Sequence, residues 1–263
     1  MYDFEYHRPA NLNDAAALLA GGNNKLLAGG MSLIPSLKMR LAKYAALVDL
    51  GALDALKGIR REGNTLVIGA MTPHADVAAS AEVQSTIPAL IALAEGIGDP
   101  LVRNRGTMGG SIANADPAAD YPAAVVGLGA TVVTNKREIA GDAFFTAVFE
   151  TALQAGEIIT AVRFPIPQKA GYAKLRQAAS RFAIVGVFVS KSGDGVRVAV
   201  TGAGPSVFRV KEAEAALAKR FAPAALDGIT VKADGLNSDI HASAEYRANA
   251  VVEMTRRAVA AAL

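Results

Sequence analysis

Apolar and polar positions alternate along this chain with two periods, and the switches between them predict its elements. From Asn13 to Ala20 the run "NDAAALLA" reads as a short helix with an Asn or Asp cap, closed by Gly21 and Gly22. "KLLAG" follows as a strand and ends in paired glycines. "SLIPSLKMRLA" then reads as a helix, because Leu33, Leu37 and Leu41 recur four apart and Pro35 falls in a first turn. The strings "ALVDL" and "TLVIGAMTP" are strand-like, and "HADVAASAEVQSTIPALIALAEGIG" is a helical stretch interrupted near Pro88.

Turn formers then crowd the segment from Gly98 to Asp120. From Tyr121 to Leu128 the pattern becomes apolar and helical, with Asp120 and Pro122 as helix-start residues. After Gly171 the period falls to two: "YAKLRQAASRFAIVGVFVSKSGDGVRVAVTGAGP" predicts two or three strands with a hairpin at "SGDG", and helical segments follow. This change places a domain boundary near residue 170. The length of 263 residues is itself more than one average domain.

Composition narrows the function classes. The chain is 52% hydrophobic and 19% charged, the balance of a folded globular protein. The net charge is +3 and the basic residues are dispersed, so the expectation is no nucleic-acid partner. There are no cysteines, which removes disulfides, thiolate nucleophiles and iron–sulfur ligation by these residues. Any redox centre here is an organic cofactor. The start "MYDFEYHRPA" lacks a basic region followed by an apolar one, and no stretch of about 20 residues is apolar enough to span a bilayer. A cytoplasmic location is the expectation.

The candidate chemistry sits in two glycine turns. "AGGMS" places Gly29, Gly30 and Ser32 ahead of a helix, and "GTMGGS" places Gly106, Thr107, Gly109, Gly110 and Ser111 within six residues. Glycines let a backbone approach a ligand, and amides leading into a helix make an anion site. A plain tight turn is the other reading of each. Two such turns suggest a dinucleotide held between loops. Asp116 and Asp120 follow the second turn, and Asp120 is suited either to a ribose hydroxyl or to capping the helix after it. Neither turn spells G-x-G-x-x-G, "TGAGPSV" reads as structural, and no P-loop occurs. His7, His74 and His241 lie far apart, without metal-ligand spacing, and read as surface or locally bonded histidines. Lys174, Arg176 and Arg181 form a basic cluster, either a solvated strand face or a contact for flavin oxygens or a partner.

"LLAGGMSLIPSLKMRL", followed about 65 residues later by "VRNRGTMGGSIANADPAADYPAAVVGLGA", resembles the FAD-binding medium subunit of the molybdenum hydroxylases. That is the family of aerobic carbon monoxide dehydrogenase and xanthine dehydrogenase, and the likeness extends over most of the chain. It implies an α+β fold. Residues 1–170 would form a vanillyl-alcohol-oxidase (PCMH) type FAD-binding domain, with subdomains of about 1–55 and 56–170. Residues 171–263 would form a C-terminal carbon monoxide dehydrogenase flavoprotein-like domain.

The resemblance also assigns a cofactor set. Leu26, Leu27, Ala28, Gly29, Gly30, Met31, Ser32 and Leu33, together with Thr107, Gly109, Gly110 and Ser111, would grip the FAD diphosphate, and Lys25 beside them would also bind the cofactor. Asp116 and Asp120 join that set. Ile97 falls where an apolar residue covers the isoalloxazine ring, Ile159 where another touches the cofactor, and Lys174 near a flavin-contacting lysine. The implied role is an electron outlet. A large molybdopterin subunit oxidises the substrate, a small subunit with [2Fe-2S] clusters relays electrons, and FAD here passes them to NAD, a quinone or a cytochrome. A dimer of heterotrimers is the implied assembly. A stand-alone flavoprotein oxidoreductase and a cofactor-free assembly protein are the rival readings. No metal site is expected in this chain.

Overall fold

The computed structural model describes residues 1–262. Its N-terminal part runs β1 (Glu5–His7), α1 (Leu12–Ala20), β2 (Asn24–Leu27), α2 (Leu33–Lys38) and β3 (Ala46–Asp49). These strands form a parallel sheet in the order β1-β3-β2, with Leu26 opposite Val48 and His7 opposite the same residue on the other side. Asn11 caps α1 by accepting from the Asp14 N–H at 2.9 Å, so the helix begins one residue before its sequence reading. Helix α2 stops at Lys38, short of Leu41, because Arg40 turns into the left-handed region at φ 58°.

The next part is built on an antiparallel sheet. Strands β4 (Ile59–Glu62) and β5 (Thr65–Gly69) form a hairpin. Helices α3 (His74–Ala79), α4 (Ala81–Thr86), α5 (Pro88–Glu95), α6 (Pro100–Arg105), α7 (Met108–Asn114) and α8 (Tyr121–Gly127) follow. The predicted helical stretch after Met71 thus breaks twice. Pro88 starts α5, as the sequence implies, but Ser80 also ends α3 and caps α4 by accepting from the Val83 N–H. The chain then forms β6 (Thr131–Thr134), β7 (Glu138–Ala140), α9 (Gly141–Phe144), β8 (Phe145–Ala147), β9 (Glu150–Thr151) and β10 (Ile159–Pro165). The five-stranded sheet has the order β4-β5-β10-β6-β7. Helix α8 is buried along its whole length, which explains why its sequence carries no polar face.

The last part is a four-stranded antiparallel sheet, β11 (Lys169–Arg176), β12 (Ala183–Ser192), β13 (Gly195–Thr201) and β14 (Phe208–Arg209), followed by α10 (Lys211–Lys219) and α11 (Ala244–Ala260). The β12–β13 turn falls at Gly193 and Asp194, inside the predicted hairpin. Successive side chains on a strand point to opposite faces. Here both faces are covered: Tyr172 and Phe188 enter the core around α5 and α8, whereas Val185, Val187 and Val189 enter a second core beneath α10 and α11. A smaller third core packs α1 and Val48 against Leu53, Leu56 and Met71.

Candidate functional site

A cavity of about 750 Å³ lies where these parts meet. Its walls come from the β2–α2 turn, the Ile97–Val102 segment, α7 and the loop after it, Ile158 and Ile159, the β8–β9 hairpin, and Ser180 to Phe182. That volume is in the usual range for a cofactor pocket.

The two glycine turns cross at this cavity. A Cβ on Gly29 would sit 1.9 Å from the Arg105 carbonyl oxygen, so glycine is required for the backbones to meet. Gly30 adopts φ +74°, the left-handed conformation that reverses the chain before α2. Main-chain N–H groups of Gly29, Gly30, Met31, Ser32 and Leu33 donate to nothing among the described residues. The Ser32 hydroxyl makes no cap bond either. This first turn therefore offers a run of unused donors.

The second turn is different, although its sequence repeats the first. Met108 N–H donates to the Thr72 carbonyl at 3.0 Å and Gly109 N–H to the Ala70 carbonyl at 2.8 Å. Thr107 Oγ1 caps α7 by accepting from Gly110 N–H at 3.2 Å. Two of its amides thus tie the loop to the segment just after β5, and those of Gly110 and Ser111 turn back on Thr107; the Ser111 hydroxyl has no partner among the described residues.

Sixteen of the eighteen residues in the sequence-derived set line this cavity: Lys25, Leu26, Ala28, Gly29, Gly30, Met31, Ser32, Leu33, Ile97, Thr107, Gly109, Gly110, Ser111, Asp116, Asp120 and Ile159. Leu27 and Lys174 do not. Asp116 uses Oδ1 to accept from the Ala118 N–H at 2.9 Å. Asp120 is 4% exposed and caps nothing, so of its two sequence readings the helix cap is not realised. Its Oδ1 instead accepts from the Tyr172 hydroxyl at 2.5 Å and faces Lys174 Nζ at 2.7 Å. Burial pushes the Asp120 carboxyl up, against the pull of Lys174 and Tyr172. Arg176 and Arg181 are solvated, but Lys174 is not: its side chain is 7% exposed and its ammonium also donates to the carbonyls of Gly96 and Arg181.

Of the lining residues outside that set, three stand out. Phe149, at the tip of the β8–β9 hairpin, and Arg181 line the cavity from left-handed backbone at φ 55° and 63°, which no glycine or asparagine announces. His74, read as a surface or locally bonded histidine, is 5% exposed and lines the cavity, with Nδ1 lacking any partner among the described residues. Burial, aided by the nearby Arg103 charge, lowers its pKa from 6.5 to about 4. The unfolded chain therefore binds this proton more readily, and stability is lost as pH falls from about 6.5 towards about 4. Urea midpoints across that window are expected to fall more steeply for the native chain than for His74→Leu; parallel curves would contradict this.

Among the described residues no cluster of His, Asp and Glu is placed to hold a metal ion, and no helix is long and apolar enough to cross a membrane.

Comparison with known proteins places this geometry. A family model described as "FAD binding domain in molybdopterin dehydrogenase" matches residues 2–167. The carbon monoxide dehydrogenase medium chain of Hydrogenophaga pseudoflava is 37% identical, over 98% of this chain and 96% of that protein. The nicotine 6-hydroxylase medium subunit of Paenarthrobacter nicotinovorans is 35% identical over 97% and 95%. Reconstituted CO dehydrogenase from Oligotropha carboxidovorans superimposes with a TM-score of 0.90 at 34% identity, covering 99% of this chain and 97% of that one. The α+β fold is thus a PCMH-type FAD-binding domain joined to a C-terminal CO dehydrogenase flavoprotein-like domain. The chain belongs to the FAD-binding medium subunits of the molybdenum hydroxylases, the carbon monoxide and xanthine dehydrogenase family.

Proposed function

We propose that this subunit holds FAD between the two glycine turns and serves as the electron outlet of a three-subunit oxidoreductase. The observation that carries the reading is the run of unused N–H donors from Gly29 to Leu33, beside the free hydroxyls of Ser32 and Ser111. Gly29, Gly30 and Leu33 are half-buried and Met31 and Ser32 exposed, so the run opens on the cavity, and a diphosphate there supplies the acceptor oxygens. The donor set fits the cofactor. Ile97, Ile158 and Ile159 line the same cavity and exclude water from an apolar ring system. Asp116 and Asp120 offer carboxylate oxygens to hydroxyl or ring N–H groups. Bound FAD supplies the redox chemistry, accepting electrons and passing them on, while the protein orients it and sets its surroundings.

The supply of electrons comes from outside these residues, which contain no cysteine to ligate a cluster. In this reading [2Fe-2S] clusters of a small subunit deliver electrons that a large molybdopterin subunit has drawn from substrate, in a cytoplasmic dimer of heterotrimers. NAD, a quinone or a cytochrome receives them. Two relatives of similar identity are named for carbon monoxide and for nicotine, which supports substrate choice by another subunit.

The test is the visible absorption of the purified chain after incubation with excess FAD and desalting. Retained flavin bands are expected for the native protein. In Gly110→Val, whose side chain would press on Thr107 Oγ1 and towards Ala28, FAD affinity is expected to drop by at least about tenfold. A colourless native protein, or an unchanged affinity in the folded variant, would count against the assignment.

A further inference from the structure

We propose that Lys174 and Tyr172 are positioning residues, holding Asp120 as an oriented carboxylate acceptor for FAD without touching the cofactor themselves. The inference rests on the FAD reading above and goes beyond it, because it gives each residue a separate role. The Lys174 ammonium has three protons and three acceptors within the protein: Asp120 Oδ1 at 2.7 Å, Gly96 O at 2.8 Å and Arg181 O at 2.9 Å. None remains for a ligand, and Lys174 is not part of the cavity wall. The Tyr172 hydroxyl takes a second lone pair of the same Oδ1 at 2.5 Å. Both partners thus converge on one oxygen. Among the described residues Oδ2 has no side-chain partner, on a residue that does line the cavity.

The charges facing Asp120 are few. Lys174 and Tyr172 come from β11, Tyr121 is its neighbour on α8, and Asp116 is carried by the preceding loop. Among the described residues Lys174 is the one cation in contact, and a buried carboxylate without its cation takes up a proton and ceases to be a pure acceptor. Lys174 also ties the Gly96 and Arg181 carbonyls to the same point, so the segment carrying Ile97 and the loop carrying Arg181 are fixed relative to Asp120. The arrangement is a three-way anchor behind the cofactor wall.

The experiment is FAD titration by flavin fluorescence from about pH 6 to about pH 9, with far-UV circular dichroism as the folding control. Native protein is expected to show nearly constant affinity across this range. Lys174→Met is expected to bind FAD at least about tenfold more weakly at the acid end than at the alkaline end, as Asp120 protonates. Tyr172→Phe should show the same trend more weakly. The double variant Asp120→Asn/Lys174→Met, which removes the titrating group, is expected to be weak but independent of pH. A folded Lys174→Met whose affinity is flat with pH, whether native-like or uniformly reduced, overturns the positioning role. Native protein that takes up no FAD overturns the cofactor reading and this inference together.

Discussion

Replacing Gly29 with valine is expected to destabilise the protein by about 3 kcal/mol or more and to abolish FAD retention. The crossing of the two loops leaves no room for a side chain. A Cβ at this position would lie 1.9 Å from the Arg105 carbonyl oxygen, 2.6 Å from its carbon and 2.9 Å from Gly106 Cα. All three are backbone atoms. They cannot turn aside as a flexible side chain would, so one loop must leave the other. Gly106 is itself pinned, because its carbonyl accepts from the His74 N–H at 2.9 Å and a Cβ on it would strike His74 Nε2. For a chain of this size the thermal midpoint should fall by about 6 to 12 °C. Thermal unfolding followed by circular dichroism checks the first effect and flavin absorption after desalting the second. A variant that melts with the native protein would show that the two loops do not approach as described.

Arg247→Met should cost about 2 to 4 kcal/mol, the second large effect, at a residue remote from Gly29 in sequence. The Arg247 side chain is 4% exposed near the start of α11. Its Nη1 donates to the carbonyls of Ile184 at 2.7 Å and Gly202 at 3.1 Å, and its Nη2 pairs with Asp239 at 2.7 Å. One planar cation thus joins a helix, the start of β12, the end of β13 and the loop before α11. Methionine fills much of the volume and supplies no donor. Arg247→Lys should recover less than half of the loss, since an ammonium cannot reproduce the fork. Urea unfolding of the three proteins measures the difference, and a methionine variant as stable as the native chain would remove the guanidinium from this role.

The sequence shows where the backbone has special needs. Gly30 before α2, Pro35 in its first turn, Pro88 at the start of α5 and the Gly193–Asp194 turn all signal themselves, because glycine and proline report on local dihedral angles. The cavity residues became legible because two such turns occur in order. What the sequence does not show is which donors remain unused. "AGGMS" and "GTMGGS" look alike, yet the second binds its amides to Thr72 and Ala70, residues of a segment more than thirty positions earlier. That difference is tertiary. Lys174 likewise looks like one member of a solvated basic cluster, since nothing near it in sequence announces Asp120 as its partner. Ser80 gives no signal for the opposite reason, its helix-forming neighbours hiding a break that its hydroxyl caps.

The sheet from β11 to β14 presents Tyr172 and Phe188 to one hydrophobic core and Val185, Val187 and Val189 to another. A layer shared in this way has no solvent-facing side to fall back on. Losing one core would strip apolar surface from the same strands that support the other, so the two are coupled as a single cooperative unit. Tyr172 and Lys174, which anchor Asp120, lie on that shared layer, and damage to the distant C-terminal helices is therefore felt at the cofactor wall without any contact with it.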